Sequence, residues 1–325
     1  KVTREGLKKA FSDLVVPTRL LDDLGPAIIS QSSIFLYGPP GNGKSSIAER
    51  LNRIYDDQIF VPRAVEVDGQ IINLFDPVIH ERVEPQPAGV DPRWGLCKRP
   101  CVLVGGELTL SMLELRLDAP TGIYSAPLQM KANSGIFIVD DFGRQFISPQ
   151  ELLNRWIVPL DRGVDFLSLS YGVKFQIPFD VMVVFSTNLS PKDLGDDAFF
   201  RRIQNKIYID PVQDRDFDEI LARVAKARKV GIAPGAQDYM RHRCRELGPR
   251  DLRACIPNDV CKLVHALASY EGWEPVLNKQ SLDRILPVYF ARGEDPQSAG
   301  GGGAWHMDWS LSPVPAGRKS GPQQG

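Results

Sequence analysis

Nothing in this chain of 325 residues approaches the ~20 consecutive apolar positions that a helix needs to cross a bilayer. The longest apolar runs, 135–139 and 181–185, are only long enough for strands, which excludes a membrane-spanning helix. An excess of one charge is also missing. Lys and Arg number 39 against 40 Asp and Glu, a formal net charge of −1, which excludes a globally basic glove for nucleic acid and an acidic tail protein. Nucleic acid is therefore not an expected partner. Cysteine is scarce: Cys97, Cys101, Cys244, Cys255 and Cys261 are an odd number scattered through a chain too large to need disulfide staples, which predicts a reducing, cytoplasmic setting. Cys97 and Cys101 with His80 would begin a tetrahedral metal site only beside a second ligand pair, and the sequence has none, so they read as buried or idle thiols. Residue 1 is Lys and no apolar signal region follows it, from which we expect a fragment or trimmed chain of an unexported protein.

What is present is an ordinary globular composition, 43% hydrophobic and 24% charged, enough for one large domain or a large domain with a small one. Residues 1–30 read as an amphipathic helical lead-in. Strand-like apolar runs occur at 34–37, 64–67, 101–104, 135–139, 181–186 and 206–209, with a helix expected over 150–160 and another from Lys44. Continuous apolar strands interleaved with helices predict an α/β domain over 31–211, a parallel sheet covered by helices on both faces. From about 212 to 292 the pattern changes to successive helices at 214–229, 236–247, 250–270 and 281–290 with no strand between them, a small all-helical domain. The Gly-, Ser- and Pro-rich segment 293–325 is expected to be a disordered tail.

One segment carries explicit chemistry. Gly38-Pro39-Pro40-Gly41-Asn42-Gly43-Lys44-Ser45 satisfies G-x-x-x-x-G-K-[ST] and lies between a predicted strand and a predicted helix, as a phosphate cradle requires. Its glycines let backbone N–H groups face the phosphates, Lys44 reaches the β/γ-phosphates, Ser45 ligates Mg2+, and Ser46 follows in the first turn. The bland alternative is a Gly-rich turn with a solvated lysine. A cradle needs a metal-side carboxylate, and the 135–139 run delivers Asp140 for that role with Asp141 to orient or deprotonate the attacking water; otherwise the pair caps a turn. Asn188, after the 181–186 run, holds the water or the γ-phosphate, or is a turn residue. Arg201 and Arg202 reach a neighbouring subunit's γ-phosphate or lie on a solvated face. Arg250, beside Pro249 near the expected start of a helix, points back at the nucleotide or is simply exposed.

Taken in order, these residues resemble the AAA+ ATPases: a Walker A segment at 38–45, a Walker B segment at 136–141, a sensor-1 Asn188, a finger-like Phe-Phe-Arg-Arg-Ile at 199–203 and a sensor-2-like Gly-Pro-Arg at 248–250. The resemblance covers roughly residues 15–271. The stretch 163–180 reads as two alternating strands around Tyr171-Gly172, similar to the pre-sensor-1 hairpin of the branch holding MoxR-type chaperones, chelatase subunits and enhancer-binding activators. Asp141 departs from the usual Glu by one methylene, the activators' Gly-Ala-Phe-Thr-Gly-Ala loop is absent, and 57–134 is longer than a minimal strand-helix-strand.

The resemblance implies ATP with Mg2+ as cofactors, ATP hydrolysis, and a homo-oligomeric, hexameric ring in which a neighbour's Arg202, or Arg201, completes each site. It implies a motor or chaperone that remodels a protein partner. A slow nucleotide-dependent assembly switch is the alternative, followed by a DNA-remodelling ATPase.

Overall fold

The continuous apolar runs form, in the computed structural model, a five-stranded sheet whose neighbours all run parallel. The structure describes residues 2–192 and 200–290, so the tail expected at 293–325 and the Asp196-Asp197 pair lie outside the described residues. Across the sheet the order is Asn205–Tyr208, Ile34–Tyr37, Val181–Thr187, Gly135–Val139, Cys101–Val104. The strands lack polar alternation because both faces are covered, and the two-residue period sends alternate side chains into two different cores. Ile34, Leu36, Ile136, Ile138, Met182 and Val184 pack beneath the helices Arg4–Ala10, Thr18–Ile29 and Lys44–Leu51. Phe35, Phe137, Val139, Val183 and Phe185 face the other way, onto Leu152, Leu153 and Trp156 of the helix Pro149–Arg162. The N-terminal segment is thus part of the sheet's cover, with Leu24, Ala27 and Ile28 buried.

Local chemistry sets the ends of the Pro149–Arg162 helix. Ser148 and Glu151 form a capping box, Pro149 occupies the first turn, and Gly163 ends the helix in the left-handed region at φ 67°. The chain then makes the expected hairpin, Val164–Ser168 antiparallel to Lys174–Pro178.

One expected strand is displaced. Residues 64–67 do not join the parallel sheet; Ala64–Val67 instead pairs antiparallel with Gln70–Asn73 in a separate four-stranded sheet completed by Ile123–Ser125 and Arg116–Asp118. Its alternating exposure is the reason, since Ala64 and Glu66 face solvent while Val65 and Val67 pack inward. This small sheet supports the hairpin through a shared core of Ile72, Tyr124, Leu167, Leu169 and Ile177. The two are also tied at their tips, where the Tyr171 hydroxyl donates to Asp68 Oδ2 at 2.9 Å and the Ser170 N–H donates to the Tyr124 hydroxyl at 3.0 Å.

A buried ion pair joins the hairpin to the helix before it. Asp165, 1% exposed, accepts from Arg155 Nη1 at 2.6 Å and Nη2 at 3.0 Å and from Gln129 Nε2 at 3.0 Å, while Arg155 Nε donates to Glu114 at 2.7 Å. Asp165→Ala removes one partner and leaves a guanidinium and an amide aimed at an apolar hole, so we expect a loss of about 3–5 kcal/mol. The midpoint of urea unfolding measures it. A loss below about 1 kcal/mol would mean that Glu114 and water compensate fully.

Beyond the sheet, Phe217, Leu221, Met240, Val260, Val264 and Leu286 form the core of four helices, Asp214–Arg228, Ala236–Leu247, Ile256–Glu271 and Lys279–Tyr289. Two expectations are corrected here. The region does contain strand, a parallel pair between Gly231–Ile232 and Val276–Leu277 that is too short to leave a periodic signal. The third helix starts at Ile256 rather than 250, because Pro257, not Pro249, occupies its first turn. Arg250 therefore stands exposed in the preceding loop and not at a helix start.

Candidate functional site

Parallel neighbours open their carboxyl ends onto one edge of the sheet. The three adjacent strands Ile34–Tyr37, Val181–Thr187 and Gly135–Val139 therefore bring residues 38–45, Asn188 and Asp140-Asp141 to the same place. The loop after the first strand tolerates only glycine at two points. A Cβ on Gly38, at φ 142°, would stand 2.5 Å from the Ile209 carbonyl oxygen, and one on Gly41, at φ 80°, would stand 2.7 Å from Cys255 Sγ. Gly43, also left-handed, turns the chain into the Lys44–Leu51 helix.

Lys44 is buried, and its ammonium donates to the carbonyls of Gly38 and Pro39 at 2.9 Å each. Burial lowers its pKa, opposed by the carboxylates of Asp141 and Asp140. Ser45 Oγ donates to Asp140 Oδ1 at 2.9 Å. These are two hard oxygen ligands side by side, and no cluster of three or more His, Cys, Asp or Glu among the described residues would hold a metal alone. That donor set fits Mg2+, which keeps waters and takes phosphate oxygens for its remaining positions.

Asp141 is exposed and left-handed at φ 48°, a conformation Asp tolerates better than most residues. Its turn is fixed by the Arg144 N–H to the Asp141 carbonyl at 3.0 Å and by Gln145 Nε2 to the carbonyls of Asp140 and Asp141 at 2.9 and 3.2 Å. The sensor strand is stitched to the same turn: the Phe142 N–H donates to the Ser186 carbonyl at 2.7 Å, and Thr187 Oγ1 to the Phe142 carbonyl at 2.7 Å. Asn188 follows directly.

The resulting cleft has a volume of about 360 Å³ and is walled by Gly41, Lys44, Ser45, Asp141, Arg144 and Asn188, with Pro40, Gly43, Ser46 and Ser186 completing it. Pro39 contributes its carbonyl to Lys44. Asn42, also buried, accepts from the Ala254 N–H at 3.3 Å. Arg201 is exposed and Arg202 half-buried; neither lines the cleft, and the segment that holds them is anchored by Phe200 and Ile203 in the sheet core. Arg250 does not line it either. The helical region meets the loop through 253–255 instead: the Cys255 N–H donates to the Gly41 carbonyl at 2.9 Å, and the Arg253 side chain lies against Gly41. Reading Pro257 as the first-turn proline would have drawn attention to Arg253. Arg144 had no separate signal beyond its place three residues after Asp141.

The Cys97, Cys101 and His80 group is otherwise engaged. His80 Nδ1 accepts from the Asp76 N–H at 2.9 Å, which leaves Nε2 to donate to the Lys131 carbonyl at 2.9 Å, and burial pushes the Cys101 thiol up to about 11.

Solved structures share the architecture. NtrX from Brucella abortus in complex with ADP superposes with a TM-score of 0.55 at 14% identity, over 90% of this chain and 60% of that one. The same protein in complex with ATP gives 0.55 at 13% over the same shares. The chain thus spans 60% of the length of NtrX. RuvB of Thermotoga maritima, a Holliday junction branch migration motor, gives 0.47 at 15%, over 88% of this chain and 70% of that one. Residues 213–285 match the family model of a domain of unknown function (DUF8689). No curated protein matches in sequence. The fold is an α/β P-loop fold, a parallel central sheet flanked by helices with a helical region after it. Among the described residues no helix is long and apolar enough to cross a membrane.

Proposed function

We propose that this chain binds ATP with Mg2+ in the 38–45 cleft and hydrolyses it to ADP and phosphate. The observation that carries this is the convergence of Lys44, the Ser45–Asp140 pair, Asp141 and Asn188 on one edge of the sheet. A protein of the same fold, NtrX, binds ADP and ATP, which supports the choice of nucleotide. In this reading the Lys44 ammonium exchanges the Gly38 and Pro39 carbonyls for β/γ-phosphate oxygens. Ser45 and Asp140 would hold Mg2+, which supplies neutralisation of phosphate charge. Asp141 orients and deprotonates the water, Asn188 holds it in line with the γ-phosphorus, and the arginine that the helical region brings to the loop is Arg253, whose side chain lies against Gly41.

The two carboxylates should separate. Asp141→Asn is expected to keep MgATP binding and lose turnover by about 10²-fold, whereas Asp140→Asn weakens the metal-dependent part of binding. Titration of labelled ATP with and without Mg2+, beside a phosphate-release assay, checks both. Parent-like turnover by Asp141→Asn would reduce Asp141 to a turn residue.

We further propose a homo-oligomeric, cytoplasmic ring, hexameric by the AAA+ resemblance, that uses turnover to remodel a protein partner. Its support is the position of Arg201 and Arg202 outside the cleft of their own chain, where a head-to-tail neighbour can use them. The short Asp141 side chain favours a second reading, a slow nucleotide-dependent assembly switch. Specific ATPase activity measured against protein concentration decides: a rise on assembly supports the ring, and a flat, slow rate supports the switch.

A further inference from the structure

Arg144 follows the turn after Asp141 and lines the cleft, where it and Lys44 are the two cations among the lining residues. The backbone beneath it is held from several directions. Besides the bonds within the turn, the Gly143 N–H donates to Gln145 Oε1 at 2.8 Å, the Phe146 N–H to the Gly106 carbonyl at 3.0 Å, and Phe142 is buried beside Phe35 and Phe185. Gly143, at φ 102°, closes the turn so tightly against Leu189 that a Cβ there would stand 2.7 Å from Leu189 Cδ1. By contrast the Arg144 side chain is exposed and makes no hydrogen bond or ion pair with another described residue.

A rigid turn that sets a guanidinium with no partner among the described residues at the wall of the phosphate-loop cleft offers an anion contact. A surface arginine kept for solubility needs neither the rigid turn nor the cleft. The lining charges point the same way. Within one chain Arg144 is the lining cation besides Lys44, so it is the group of the same chain that can meet the charge building on the γ-phosphoryl oxygens during transfer. The planar fork of arginine suits two such oxygens at once.

We propose that Arg144 is a catalytic residue acting within its own chain, a guanidinium that contacts the γ-phosphoryl group as water attacks and stabilises it more in the transition state than in bound ATP. This deepens the ATPase reading and rests on it. Because Arg144 is exposed and makes no hydrogen bond or ion pair with another described residue, its replacement should not disturb folding.

The test uses the full chain as parent, Arg144→Ala, Arg144→Lys and Lys44→Ala, with three readouts: labelled-ATP affinity, kcat and KM for ATP, and retention of ADP with aluminium fluoride as a transition-state mimic. Expected for Arg144→Ala is a fall in kcat of about 10²-fold or more, ATP affinity within about threefold of parent, and lost retention of the mimic. Arg144→Lys should recover about tenfold of that rate, because it restores the charge without the fork. An active parent with an equally active Arg144→Ala overturns the inference and leaves the ATPase reading intact. Equal losses in the Ala and Lys variants, or a loss confined to ATP affinity, also overturn it. A parent that neither binds nor hydrolyses ATP removes the ATPase reading, and the inference falls with it.

Discussion

Lys44→Ala is expected to eliminate detectable ATP turnover and most MgATP affinity, the largest effect any single side chain in this molecule should produce. Lys44 is the buried ammonium at the centre of the loop, held by the Gly38 and Pro39 carbonyls and within the field of Asp140 and Asp141. Alanine removes the one point charge the loop can present to the β/γ-phosphates. It also leaves two carbonyls without their donor, at a cost of about 1–3 kcal/mol in stability if water cannot reach them. A thermal melt must therefore accompany the assay, and Lys44→Met, which keeps the bulk of the stem, separates charge from packing. A folded Lys44→Ala chain with parent affinity and turnover would remove the cleft from the mechanism altogether.

The second large effect concerns Arg202. If it serves a neighbouring chain, Arg202→Ala should lower turnover by about 10² or more while each chain still binds ATP, because a finger touches the transferring group and not its own subunit's nucleotide. Mixing that variant with Lys44→Ala should restore part of the activity. Mixed rings contain interfaces with an intact loop on one chain and an intact finger on the next, and neither parent ring does. Co-assembly without recovery at any ratio would mean that Arg202 acts within its chain or not at all, and the same experiment with Arg201→Ala decides between the two arginines. Arg144 gives a control of opposite type. A residue acting within its own chain cannot be complemented by a Lys44→Ala neighbour, since the active site of each mixed interface still lacks one of the two cations.

Much of this architecture can be read from local pattern, and the reason lies in particular residues. Five-residue apolar runs such as Gly135–Val139, too short for a helix and ended by turn residues, read as strands buried on both faces, and the loop 38–45 spells its own backbone through Gly38, Gly41 and Gly43. Ser148, Glu151 and Gly163 mark the ends of the helix after Asp141 through nearest-neighbour hydrogen bonding. The Tyr171-Gly172 hairpin was legible for the same reason, as alternation interrupted by a turn.

Other features depend on groups far apart in the chain. Residues 64–67 are strand-like with alternating exposure, and they join a separate sheet by pairing with residues 70–73, which in turn pair with 123–125. The helix start at Ile256 turned on which of two prolines takes the first turn, and that choice is coupled to the docking of Cys255 on the Gly41 carbonyl, more than two hundred residues back. Sequence by itself determined the sheet, the phosphate loop and the carboxylates at the strand ends, because hydrophobic period and backbone permissiveness are properties of neighbouring residues. Only the tertiary structure decided that Arg253 rather than Arg250 lies against the loop, that Arg201 and Arg202 do not line their own cleft, and that Arg144 does. An arginine's reach is set by where folding carries its backbone, and no local pattern encodes that.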